Sequence, residues 1–364
     1  MKGKTLMVLT GVALLAAATA FWLDRGRSPA SLSGDGEPLF PGFAEQINEV
    51  REIRLRIGGS EQGITLSRDD SGWRVAERYG YAGDAGAIRR LLLQLSEARV
   101  VEPKTSNPDL YVRLGVEDVS VQGGEGVLLE IDGAAASRRL IVGEVETLAG
   151  RGTYVRRPGE KPSYLVSEEM RPARSPEKWL DPDLLDVPPS LIQTVTIRHE
   201  DGVELRLLGI DGHLALDRIP EGRALSSPSA TSPIGRSLEG LRLEDVLPES
   251  EFDGGTPAAV ISYRLTDGRL VNVRAWQIED QRYVALELGM ALDAEEPAPA
   301  ESESDGGAGP EDESAPPEAP RADAEAVARR SEGLAGWVFR IPVTRYDQMV
   351  RRPDDLLSPL PEGG

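Results

Sequence analysis

The chain has 364 residues, 40% of them apolar and only 5% aromatic, with no cysteine and a formal net charge of -20. That length accommodates two domains of ordinary size, and the missing cysteines exclude a disulfide framework, a thiolate metal site, a cysteine nucleophile and a lipobox. Most of the charge excess is local: between Asp293 and Glu325 stand twelve acidic residues against Arg321 alone, and no clustered basic face is left elsewhere to neutralise nucleic-acid phosphates.

From the N-terminus, Leu6 to Leu23 is an uncharged run, LMVLTGVALLAAATAFWL. Crossing a hydrocarbon core takes about 20 apolar residues, so the run suffices for one span, with Trp22 where an interfacial aromatic belongs. Ala18-Thr19-Ala20 has the form of a signal-peptide cleavage site, but Phe21, Trp22 and Leu23 continue the apolar run past it. The expectation is an uncleaved anchor over residues 1–27 with the body on the far side of the membrane. A Gly, Ser and Pro-rich spacer follows over 28–38.

The body reads as two similar halves, 39–188 and 189–364. In the first, Val50–Ile57 and GITLSR alternate as strands. Asp69-Asp70-Ser71-Gly72 forms a hairpin turn, and Trp73–Ala76 is a third strand. Asp84 caps a helix to about Ala98 with Ile88, Leu91, Leu92 and Leu95 on one face, and Arg99–Pro103 returns as a strand. In the second half TVTIRHE, VELRLLGI and HLALDRI are strands separated by Asp201-Gly202 and Asp211-Gly212. A helix is expected over Ser232–Leu241, and RLEDVLP closes the unit. Each half then predicts two hairpins: VLLEIDGAAASRRLIVGEV and TYVRRPGEKPSYLVS in the first, AVISYRLTDGRLVNVRAWQI and RYVALEL with GWVFRIPV in the second. Each ends on a Pro-acid-Leu-Leu tail, with Asp181 and Asp183 in one and Asp354 and Asp355 in the other. The acidic stretch, at about 291–332, falls at a hairpin tip and is expected to be a disordered loop, because it offers too little apolar surface to offset ordering. An acidic lure for basic partners or cations is the sharper alternative.

Several residues invite a chemical reading. His199 and His213 lie in or beside strands with no ligand cluster at metal spacing. Ser175-Pro176-Glu177-Lys178 has the S-x-x-K form of acyl-enzymes, but its partner motifs are missing; Ser175 is expected to cap a short helix carrying Trp179. Asp69-Asp70 suits a turn better than glycoside hydrolysis, and the recurrence of Asp181/Asp183 as Asp354/Asp355 suits a structural role. Glu249, Glu251 and Asp253 form a loose acidic patch without calcium-loop spacing. No phosphate-binding loop occurs. No catalytic, cofactor-binding or metal residue is assigned.

Leu39-Phe40-Pro41-Gly42, Ile47-Asn48-Glu49-Val50, Gly72-Trp73, Glu102-Pro103-Lys104-Thr105-Ser106-Asn107-Pro108 and Leu114-Gly115-Val116 together resemble the DUF4340 family of uncharacterised bacterial proteins. The resemblance is read over essentially the whole chain after the anchor. It implies an accessory envelope role beside ABC-type transport proteins similar to gliding-motility components, with no catalytic residues to carry over. The expected fold class is therefore α+β, antiparallel and β-rich, in two tandem halves (β-β-β-α-β plus hairpins) behind one transmembrane helix. The expected function is a non-enzymatic periplasmic scaffold on the inner membrane, without cofactor or nucleic-acid partner. An envelope glycan- or peptide-binding module and an unrecognised hydrolase are the alternatives.

Overall fold

The structure, a computed structural model, describes residues 36–121, 123–133, 136–147, 151–291 and 322–359. The expected anchor, the spacer up to residue 35 and residues 292–321 of the acidic stretch lie outside them. Among the described residues no helix is long and apolar enough to cross a membrane. The chain divides into two compact units, Met1–Trp179 and Leu180–Gly364, so the division comes at Trp179 rather than at 188. The fold is α+β and β-dominated, with antiparallel pairing throughout both large sheets.

The first unit contains β1 (Glu52–Ile57), β2 (Gly63–Asp69), β3 (Gly72–Val75), β4 (Tyr81–Ala82), helix α1 (Ala85–Glu97), β5 (Val100–Pro103), β6 (Val127–Asp132), β7 (Arg138–Glu146), β8 (Gly152–Arg156) and β9 (Ser163–Val166). Its nine-stranded sheet runs β4-β3-β2-β1-β6-β7-β8-β9-β5. Alternation sets the faces: β1 buries Ile53 and Leu55, while Arg54 and Arg56 face outward to Asp132 at 3.3 Å and Glu130 at 2.8 Å on β6. Asp84 caps α1 by accepting from the Ala87 amide at 2.9 Å, and Ile88, Leu91, Leu92 and Leu95 are buried as the periodicity predicts. The helix connects strands at opposite edges of the sheet. Nine strands laid flat are about 38 Å across, and a helix of this length covers about 20 Å, so the sheet curls to bring its two edges within reach of one connection.

The second unit contains β10 (Asp183–Leu185), β11 (Ile192–His199), β12 (Glu204–Ile210), β13 (His213–Leu216), β14 (Arg223–Leu225), α2 (Ser232–Gly235), β15 (Leu241–Arg242), β16 (Asp245–Pro248), β17 (Ala259–Leu265), β18 (Arg269–Ile278), β19 (Gln281–Met290), α3 (Ala324–Leu334), β20 (Trp337–Arg340), α4 (Val343–Met349), α5 (Pro353–Leu356) and β21 (Leu357–Pro359). Eight strands form a sheet in the order β13-β12-β11-β17-β18-β19-β20-β16, and β10–β15 and β14–β21 form two-stranded ribbons. Val195, Ile197, Leu207, Ile261, Tyr263 and Val273 supply its buried face.

Three expectations change here. The helix over Ser232–Leu241 is only one turn, α2, followed by turns to Gly240. Gly235 and Gly240 weaken a helix, and the Ser237 hydroxyl bonds the Ile234 carbonyl at 2.7 Å and the Tyr263 hydroxyl at 2.9 Å, which favours a turn. Ile234, Leu238 and Leu241 are buried all the same. The third strand stops at Leu216 instead of reaching Ile219. The acidic loop ends earlier than 332, because its last part is helix α3. Asp323 caps α3 by accepting from the Glu325 amide at 3.0 Å, and Val327 and Leu334 are its buried residues.

Candidate functional site

A cavity of about 630 Å³ lies within the second unit between the β10–β15 ribbon, α3 and the turn at Asp267. Leu184, Leu241, Leu288 and Val327 line it with apolar surface, and Asp183, Asp186, Asp267, Asp323, Arg269 and Arg330 supply the charge. Each of these ions already serves the fold. Asp267, nearly buried, accepts from the Arg269 amide at 3.1 Å and its Nε at 2.8 Å. Arg330 reaches from α3 to donate to the Leu184 carbonyl, with Nη2 at 2.6 Å, satisfying a carbonyl of the short ribbon. Asp186 accepts from the Gly240 amide at 2.9 Å, and Asp183 pairs with Arg242 at 2.9 Å. The charged lining is made of aspartates and arginines alone. It can accommodate a guest.

The residues singled out from sequence are dispersed. His199 ends β11 and His213 begins β13; the register places them at opposite ends of the sheet. His199 is buried, and its Nε2 lies 3.3 Å from the Arg351 carbonyl. Burial pushes its pKa below the ordinary value, the Arg351 hydrogen bond opposes that, and Arg352 adds to the lowering. Ser175 precedes a 3-10 turn, Pro176–Trp179. The Ser175 carbonyl accepts from the Lys178 amide at 3.2 Å, and Glu177 pairs with Arg78 at 3.3 Å. Trp179 is buried there and donates to the Ala173 carbonyl at 3.0 Å.

The carboxylate pairs also close turns and ion pairs. Asp69 accepts from the Ser71 amide at 2.7 Å and from Arg74 at 3.0 Å, and the Arg74 hydrogen bond leads in lowering its pKa. Asp181 accepts from the Asp183 amide at 3.3 Å. Asp354 pairs with Arg223 at 2.9 Å, and Asp355 accepts from the Arg352 amide at 2.8 Å. Glu249 pairs with Arg274 at 2.6 Å, and that hydrogen bond holds its carboxyl below the usual range. Among the described residues no group of three His, Cys, Asp or Glu could hold a metal ion.

Sequence reasoning missed the cavity. Asp267 was legible only as a turn former, and Arg330 lay inside a stretch expected to be loop. No local signal announces that an arginine will span to a carbonyl 146 residues away.

The Leu114-Gly115-Val116 run has a defined place. Gly115 takes a left-handed φ of +62°, and the Leu114 carbonyl accepts from the Glu144 amide on β7 at 2.9 Å. Arg156, buried, donates to the Val116 carbonyl at 2.7 Å and to Asp118 at 2.8 Å, with its guanidinium 4.7 Å from the Tyr111 ring centre. A family model described as a domain of unknown function, DUF4340, matches residues 73–263, slightly more than half of the chain. The chain belongs to the DUF4340 family. The match is narrower than the resemblance read from sequence: the Leu39–Gly42 and Ile47–Val50 runs fall before it. DUF4340 here extends from β3 in the first unit to β17 in the second. Neither the curated proteins nor the solved structures contain a match to the chain.

Proposed function

We propose that this DUF4340 protein is a non-catalytic scaffold, held to the inner membrane by Leu6–Leu23 with its body in the periplasm, and that it is an accessory to an ABC-type transport or gliding-motility-like complex. We infer further that its two units are copies of one sheet. The observation that carries both readings is strand order. From edge to edge the first sheet runs β3-β2-β1-β6-β7-β8-β9-β5, with β4 added outside β3, and the second runs β13-β12-β11-β17-β18-β19-β20-β16. Position by position, each strand has a counterpart in the same place in the chain. A repeated sheet with its ions spent on turns and ribbons supports a body that presents surfaces rather than chemistry. The transport association rests on the family resemblance, and the topology on the apolar run at residues 6–23.

Two measurements test this. Protease added to spheroplasts should degrade the body, while an intact body beside an active cytosolic reporter fused at Gly364 would refute the topology. Crosslinking in intact cells should recover membrane transport subunits, and recovery of none would remove the accessory role. The cavity beside Asp267 favours a second reading, a binding module for an envelope glycan or peptide. A rise in melting temperature of the purified protein with cell-wall fragments would support it.

A further inference from the structure

The two sheets treat their edges differently. An open edge strand offers unpaired N–H and C=O groups, and proteins ordinarily blunt such edges with short strands, charges or proline. Here β4 is two residues long, β5 ends in Glu102-Pro103, and β16 begins at Asp245 and ends at Pro248. The fourth edge, β13, reads His-Leu-Ala-Leu with neither proline nor acid. Ile210 and Ile219 flank it and are exposed at 55% and 45%.

Register identifies equivalent residues. In the first sheet Ile53, Leu66 and Val75 are successive partners; in the second Val195, Leu207 and Leu216 are. Leu216 therefore corresponds to Val75, and Leu214 to Trp73. On β3 both residues are covered: the Trp73 carbonyl accepts from Gly83 at 2.8 Å and the Val75 carbonyl from Gly80 at 3.0 Å, with Tyr81 paired to Val75 and buried. On β13 the Leu214 carbonyl accepts from the Thr231 hydroxyl at 2.6 Å and keeps a second lone pair. The antiparallel alternation directs the backbone groups of Leu216 away from β12, on the side where the sheet ends. Leu214, at the position of Trp73, lines a cavity of about 460 Å³ together with His213, Ser190, Gly235, Arg236 and Glu239.

We propose that β13 is a docking edge for an extended segment of a partner polypeptide, small and aromatic in character, which adds as an antiparallel strand. This deepens the scaffold reading and rests on the two units being copies, since the first unit already holds such a segment, Tyr81–Ala82, on its corresponding edge. Backbone pairing supplies affinity and the neighbouring cavity admits a side chain.

The probe is a fluorescein-labelled peptide copying Glu77–Asp84, titrated against the full-length protein in detergent and read by anisotropy. Saturable binding is expected, weakened at least about tenfold by Leu216→Pro, which removes an outward N–H but no ladder bond to β12. A second peptide with N-methylglycine in place of both glycines lacks the two donors and should bind at least about tenfold more weakly to the unaltered protein, which keeps the test informative if Leu216→Pro fails to fold. Absence of saturable binding, or equal binding of the methylated peptide, overturns the proposal. Either result leaves the scaffold reading to its own crosslinking test, which any other surface of the protein can satisfy.

Discussion

His199 shows how burial and a single carbonyl decide a residue's behaviour. Its ring sits against Arg351, with Arg352, Asp201 and Asp355 the charged groups that act on it. Burial leads in lowering its pKa, so the unfolded chain takes up a proton at a pH where the folded one does not. Stability contributed by this group is full above the unfolded value of about 6.5 and declines as pH falls from there through the folded value. Urea midpoints measured at about pH 7 and pH 5 should fall more for the unaltered protein than for His199→Gln, which retains a donor for Arg351. Equal falls would mean that other groups carry the whole acid sensitivity. At this scale the sequence was informative about position, placing His199 in a strand without a ligand cluster. It could not show that the strand end would be covered by a segment about 150 residues further on.

Local rules hold best for single elements. Asp84 and the four apolar residues of α1 were legible because capping and a 3.6-residue period act within one turn or two. Asp84→Ala should cost about 0.5–2 kcal/mol, the ordinary range for losing an N-cap, measured by urea denaturation of the full chain. Gly143 on β7 is a different kind of position. A Cβ there would overlap the Leu114 carbonyl oxygen and crowd Val116, so the glycine lets the Leu-Gly-Val run lie against the strand. Gly143→Ala should destabilise by about 1–3 kcal/mol, as overpacking does, with increased hydrogen exchange at the Glu144 amide that bonds Leu114. Unchanged exchange would show that the run docks by other means. The expected helix over Ser232–Leu241 shortened because Ser237 found Ile234 and Tyr263, the latter a partner supplied by a distant strand. The apolar spacing was right there, and the tertiary hydrogen bond selected the backbone form.

For the whole molecule, the described residues on either side of the acidic stretch meet at one turn. The Ala291 amide bonds the Gly268 carbonyl at 2.8 Å, and the Ala322 amide bonds the Asp267 carbonyl at 3.1 Å. A short linker can therefore replace residues 293–320, since the entropy of closing a connection changes only slowly with its length. That deletion should leave the melting temperature within a few degrees of the original, because the residues on either side already bond the Gly268 and Asp267 carbonyls; a loss on the order of ten degrees would give the stretch a structural role. The sequence by itself determined the long strands of both sheets, their inward faces, the hairpin turns and the family resemblance, since alternation, turn chemistry and motifs are written in neighbouring residues. Only the tertiary structure decided which edges are covered, where Arg330 anchors the small ribbon, and which cavities remain open. Those outcomes depend on pairings between residues far apart in the chain.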